Sequence, residues 1–246
     1  MARRNRGNTK LEIIHVALTF FLQNGYSNTY VQTIAEEIGI SKGNLMFHFR
    51  TKEHLLAELI NMLCDFQWKF MERETKDSKA HLQAYLLEIA TIAAVCEDNP
   101  VAKDLFVSAY IYPMALEIIR KNDTEKAKQV FGSYCKEWTD ADYRRAENIA
   151  SGIEYAMMID KNTEGISLEQ RIESGLDAIL KLYELPMELR KDEIAQVLAM
   201  DYREIGHHIL KEFTEYVHEK SKNELLNAAK QSKNKKKPTD EGEQIV

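Results

Sequence analysis

Residues 29–52, TYVQTIAEEIGISKGNLMFHFRTK, decide the fold of this chain. Two short helical stretches flank a glycine, and a further helix starts at once. Thr29 with Gln32 three residues on has the spacing of a capping box, in which a hydroxyl and an amide each satisfy a free backbone donor. Ile34, Ala35 and Ile38 share one face at helical spacing. Gly39 supplies the tight break, Ile40 a buried turn residue and Ser41 a second N-cap. The next helix turns Leu45 and Phe49 inward and Lys42, Asn44, Phe47 and His48 outward. A short outer face that is cationic and rich in hydrogen-bonding groups suits the floor of a DNA major groove. The pattern predicts a helix-turn-helix.

On the N-terminal side, Thr9 to Asn24 reads as a helix with Leu11, Ile14, Leu18 and Phe21 or Leu22 inward; Gly25 ends it and Tyr26 folds back on the core. Met1 to Asn8 is a basic segment that either lies against phosphates or stays disordered. On the other side Thr51 caps a long helix to about Lys76, with Leu55, Leu59, Met62, Leu63, Phe66 and Phe70 at helical spacing. At roughly 1.5 Å per residue its length spans a small domain. Helical patterns continue over 80–99, 101–109, 114–122, 124–138, 140–159, 167–185 and from 188 to 220 or beyond, punctuated by Pro100, Pro113 and Pro186. No strand pattern convinces and no internal repeat appears. The prediction is an all-α protein: a helix-turn-helix head over residues 1–52, a helical body over 53–230 and a disordered tail over 231–246.

The residues Gly25-Tyr26, Thr29, Ile34-Ala35, Gly39, Ser41-Lys42-Gly43, Leu45, His48-Phe49 and Lys52-Glu53-His54-Leu55-Leu56 resemble the N-terminal domain of the TetR family of transcriptional regulators. The resemblance covers about the first sixty residues. It implies a homodimer that binds a double-stranded operator and answers to a small-molecule effector, with no cofactor. It also implies that Thr29 and Lys52 contact phosphate. Met46 stands where the family usually has a tyrosine whose hydroxyl reaches a phosphate, and methionine has no such donor.

Net charge alone would mislead, since the whole chain carries −6. Residues 1–52 hold seven basic and three acidic side chains, net +4, which leaves −10 for the remainder. A basic tip on an acidic body steers the tip toward a polyanion. Cys64, Cys96 and Cys135 lie far apart without metal-ligand spacing and read as buried thiols. The N-terminal stretch lacks the make-up of a signal peptide, and no apolar run is long enough to span a bilayer. A cytoplasmic protein is expected.

The DNA-binding set is therefore Thr29, Ser41, Lys42, Gly43, Asn44, Phe47, His48 and Lys52. Lys42 suits a phosphate or a guanine edge, Gly43 lets backbone approach closely, Asn44 pairs with adenine, Phe47 packs on a thymine methyl and His48 donates to phosphate. So short a helix reads only a few base pairs, so specific binding needs two copies. Position along the chain matches the family's dimerising helices to residues 140–185, where Ile149, Ile153, Met157, Ile172, Leu176, Ile179 and Leu180 give packable faces; an ordinary core face is the alternative. By resemblance the body holds a ligand pocket, for which Phe66, Trp68, Phe106, Tyr110, Tyr112, Met114, Tyr134, Trp138 and Tyr155 are candidates. Glu204-x-x-His207 and Glu215-x-x-His218 have the spacing of di-metal helices, but they share one helix some 16 Å apart and cannot meet at one metal. The predicted function is a ligand-responsive transcriptional repressor, not an enzyme. The rivals are a DNA-binding regulator whose body docks a protein and a helical metal-dependent enzyme.

Overall fold

The first helix, α1 (Arg6–Asn24), ends at Gly25, whose φ of 85° closes the helix in the left-handed region that glycine adopts without cost. The computed structural model describes residues 6–74, 80–159 and 165–234. Among these, the head continues with α2 (Val31–Glu37) and α3 (Lys42–His48). Then come α4 (Lys52–Glu74), α5 (Ala80–Asp98), α6 (Pro100–Ile111), α7 (Pro113–Phe131), α8 (Asp140–Ile159), α9 (Leu168–Leu182), α10 (Met187–Leu198) and α11 (Tyr202–Asn234). No strand occurs among the described residues. No helix among them is long and apolar enough to cross a membrane.

An ordinary surface helix buries one stripe. α1 buries more, with Ile13, Ile14, Ala17, Leu18 and Phe21 all at 0–1 % exposure, because α11 and α6 pack against it in addition to α2 and α4. The head's core of Tyr26, Ile34, Leu45 and Phe49 runs without a break through Leu59 and Leu63 of α4 to Phe106 of α6, Ile119 of α7 and Phe213 and Val217 of α11. A boundary at residue 52 therefore divides the chain in sequence, while the apolar core runs across it. A second core gathers α5, the end of α7, α8, α9 and α10. α5 is its centre, with Ala84, Leu86, Leu87, Ala90 and Ala94 fully buried.

Two helix boundaries differ from the sequence expectation. The polar run Asn122-Asp123-Thr124 was expected to separate two helices, yet α7 passes through it. Asn122 donates to the Ile118 carbonyl at 2.9 Å and Thr124 to the Arg120 carbonyl at 2.6 Å, so these side chains bond back onto the preceding turn. α7 instead stops at Gly132, and no helix covers 132–139. The long helix expected from 188 onward is two, because Asp201 caps a new start by accepting from the Glu204 backbone N at 3.2 Å. α11 extends to Asn234, four residues into the stretch 231–246 expected as a disordered tail. The rest of the tail, 235–246, lies outside the described residues, as do Met1 to Asn5 of the basic arm. Cys96 and Cys135 are buried and free, and burial pushes their thiols up to about 12 and about 11, which leaves them unreactive.

Candidate functional site

The turn between α2 and α3 is a Schellman motif: Ile40 N donates to Ala35 O at 2.9 Å and Gly39 N to Glu36 O at 3.0 Å, with Gly39 at φ 66°. Ser41 then caps α3, its hydroxyl accepting from Asn44 N at 3.1 Å. Leu45 and Phe49 anchor α3 in the core at 1 % and 3 % exposure. That anchoring turns Lys42, Gly43, Asn44, Met46 and Phe47 to the outside, with His48 at the edge. Phe47 is 63 % exposed. A phenyl ring held in water costs free energy that an apolar contact on a base methyl recovers.

Two residues of the expected set sit otherwise than predicted. Tyr30, in extended backbone, occupies the N-cap of α2, and no side chain caps that helix. Thr29, one residue earlier, is turned inward at 3 % exposure; its hydroxyl donates to Gly25 O at 2.7 Å and has Phe20 O at 3.2 Å. It closes the α1–α2 turn and offers no hydroxyl to a phosphate. Gln32, freed from the capping box, bonds Glu36 at 2.7 Å. Lys52 lies half-buried over the Tyr26 ring at 4.2 Å and donates to Tyr26 O at 2.8 Å and Thr29 O at 3.1 Å. Its first task is to fasten α4 to that turn; burial lowers its pKa. Sequence reasoning passed over Tyr30, which is 70 % exposed at the start of α2. The signal was an aromatic beside a threonine already assigned as the cap.

The ligand candidates do not converge on one pocket. Phe106 is buried beneath the head, and Tyr155 packs on that same core. Tyr112 meets Tyr26 edge-on at 5.2 Å, and the Met114 backbone N donates to Glu53 at 3.0 Å, so both belong to the junction of head and body. Phe66 stands between the two cores, 5.5 Å from Phe213 and 5.2 Å from Tyr216. Tyr134 is 39 % exposed, and Trp138 lies edge-on to Tyr143 at 5.2 Å.

Tyr110 and Trp68 of the set reach a buried polar cluster that sequence reasoning missed. The Tyr110 hydroxyl donates to Glu154 at 2.5 Å. Nearby, Tyr183 donates to Glu147, and Lys126 grips Glu88 at 2.7 and 2.9 Å and Asp123 at 3.1 Å while lying 5.5 Å over Trp68. Burial is the main cause that pushes Glu147 up to about 9 and Glu154 up to about 8, with Asp123 adding repulsion. Both are neutral acids at pH 7.

The expected dimer faces are also rearranged. Ile172, Leu176, Ile179 and Leu180 are fully buried in the chain's own core, and Met157 sits under Gly175, where a Cβ would collide with its sulfur. These five present no surface to a second copy. The outward face of α8 is instead formed by Ile149, 53 % exposed, with Gly152, Ala156 and the partly exposed Ile153. The two Glu-x-x-His pairs are apart as well. His207 faces Asp98 at 3.5 Å and His218 faces His15 at 3.2 Å. Among the described residues no three His, Cys, Asp or Glu side chains could hold a metal ion.

Residues 13–59 match the sequence pattern described as bacterial regulatory proteins, tetR family. The chain is 36 % identical over 81 residues to the HTH-type transcriptional regulator QacR of Staphylococcus aureus (strain Mu50), a match covering 32 % of this chain and 43 % of QacR. It is 31 % identical over 143 residues to YerO, an HTH-type transcriptional regulator of Bacillus subtilis, covering 58 % of this chain and 47 % of YerO. The chain thus spans less than half the length of these relatives. The crystal structure of RolR in complex with the ligand resorcinol superposes with a TM-score of 0.61 over 77 % of this chain and 94 % of RolR; at 14 % identity this likeness concerns the fold alone. Residues 13–59 therefore form the helix-turn-helix domain of the tetR family of bacterial regulatory proteins.

Proposed function

We propose that this protein is a cytoplasmic transcriptional repressor that binds a two-fold-symmetric operator as a homodimer and is released by a small-molecule effector. The observation that carries the proposal is the outer face of α3, where Lys42, Gly43, Asn44 and Phe47 stand exposed on a helix pinned from behind by Leu45 and Phe49. Asn44 reads a base edge, Phe47 packs on a thymine methyl, and Lys42 and His48 hold phosphate. Ser41 holds the start of that helix in place. Two copies join through the outward face of α8, with Ile149 at its centre, and set the heads in successive major grooves.

Release follows from the shared core. An effector that binds the arrangement unsuited to the operator better than the suited one lowers DNA affinity by that difference. α4 transmits the change because it contributes side chains to both cores. The test is selection of binding sites from random duplexes by the purified full chain, followed by footprinting. An enriched palindrome protected in two adjacent major grooves supports the proposal. Enrichment of no sequence in low salt refutes it.

A further inference from the structure

The first helix of the head and the last helix of the body bring two imidazoles together across 203 positions of sequence: Nε2 of His15 lies 3.2 Å from Nδ1 of His218. The rings are tilted at 56° with centroids 4.7 Å apart. Nδ1 of His15 is buried without a hydrogen-bond partner, so Nε2 is the nitrogen with which this ring engages another group. The backbone fixes both positions. Ile14, the neighbour of His15, and Val217, the neighbour of His218, are buried in one core. Both imidazoles line an open groove that also holds Glu212, Glu215 and Glu219 against a single lysine, Lys211. Arg73 and His208 engage Glu212, so Glu215 and Glu219 set the negative field of the groove.

Two ring nitrogens this close either share a proton or share a cation. In a tetrahedral zinc site, with each nitrogen about 2.0–2.1 Å from the ion, two ligand nitrogens stand about 3.3–3.4 Å apart. The observed 3.2 Å matches that edge, and a turn of the exposed His218 ring aims both lone pairs at one point. Magnesium and calcium seek oxygen ligands, whereas imidazole suits zinc, nickel and copper. Three protein ligands are gathered nowhere among the described residues, so water from the groove completes the coordination. We propose that His15 and His218 form a two-histidine site for a divalent ion of the zinc, nickel and copper class, which staples α1 of the head to α11 of the body. A clip between residues so distant in sequence restrains the unfolded chain strongly for a single link. Its place on α1 directs the effect to the head.

The test uses the full chain, stripped of metal by a chelator and free of DNA, so that failure here and failure to bind an operator are separate results. Titration calorimetry with zinc chloride is expected to show one site per chain, and magnesium chloride none. His218→Gln removes a ligand at an exposed position, so the variant folds; zinc affinity should fall by about tenfold or more. His15→Gln should lose as much, and the double variant no more than either single one, because neither imidazole holds the ion alone. His208→Gln breaks the pair that His208 makes with Glu212 at 3.2 Å in the same groove and should leave zinc affinity unchanged. Saturating zinc should slow hydrogen exchange in both α1 and α11 severalfold in the wild type and not in His218→Gln. Unchanged zinc affinity in folded His218→Gln, equal binding of zinc and magnesium, or unaltered exchange of α1 overturns the proposal. Loss of zinc on His208→Gln instead overturns it as well, since it shows an adventitious ion only.

Discussion

Asp104 of α6 accepts both hydrogen bonds that Ser27 has to give, from the backbone N at 2.7 Å and from the hydroxyl at 2.6 Å. The same carboxylate fills the space beside Gly25, where a Cβ would lie 2.6 Å from Asp104 Oδ2. The body thus grips the head at the turn that positions α2. Gly25→Ala is expected to cost more than Asp104→Ala, because it adds left-handed strain of about 1–2 kcal/mol to the collision, whereas the exposed hydrogen bonds are worth about 1 kcal/mol. The two losses should not add: in an Asp104→Ala background the collision is gone and only the strain remains. Urea unfolding of the two single variants and the double variant measures this, and strict additivity refutes it.

On DNA, Asn44→Ala and Lys42→Ala should differ in kind. Loss of Asn44 is expected to remove about 1–3 kcal/mol of preference at one base pair per half-site and to leave binding to random duplex unchanged. Loss of Lys42 should weaken all duplexes and reduce the salt slope by about one per protomer. Titrations at several salt concentrations, on operator and on random sequence, separate the two. Lys52→Ala belongs to neither class: it strips the donor from Tyr26 O and Thr29 O, so its first effect should appear as lost stability of the head.

Glu147 and Glu154 give the stability a definite slope with pH. Unfolded, each ionises near 4.5; folded, they hold their protons up to about 9 and about 8. Between those limits the folded chain binds more protons than the unfolded one, so their contribution is whole below 4.5 and declines as pH rises to about 9. Melting temperatures of the wild type should fall across that window relative to the Glu147→Gln, Glu154→Gln double variant, by the equivalent of a few kcal/mol. Parallel curves would mean that both acids are ionised inside the fold.

His15 of α1 and His218 of α11 lie 3.2 Å apart, and burial with the neighbouring imidazole lowers the His15 pKa below 6.5. A second proton on the pair would be repelled. The folded chain therefore binds fewer protons here than the unfolded chain, and this contact loses stability as pH falls below 6.5. Hydrogen exchange along α11 is expected to quicken on acidification, and His218→Gln should blunt that response. Exchange that is indifferent to pH, after correction for its chemical rate, contradicts this.

The helix-turn-helix was legible because its determinants are local. Gly39 and Ser41 fix their turns within five residues, and Leu45 in α3 and Phe49 at its C-cap are large apolar residues, four apart, that face one way. Thr29 was misread because two adjacent residues can serve as an N-cap, and the choice fell to Tyr30 through packing of the preceding turn. The interior of the body was not legible for a different reason. Glu88, Lys126, Glu147 and Glu154 stand on helices whose charged residues ordinarily face water, and only the crossing of α5, α7 and α8 brings them together. The faces of α9 offered as an interface, Ile172, Leu176, Ile179 and Leu180, were correctly seen as apolar. Periodicity cannot say whether the chain or a second copy covers such a stripe.

The long last helix lies along α1, with Phe213 and Val217 in the same core as Ile13 and Phe21. The head is consequently held by two body helices at once, α6 through Asp104 and α11 through Phe213 and Val217. Such a mount resists twisting of the tip about α4, so any rearrangement in the body must carry the first, sixth and eleventh helices as one piece. The half-site spacings that a pair of these tips tolerates should be correspondingly few.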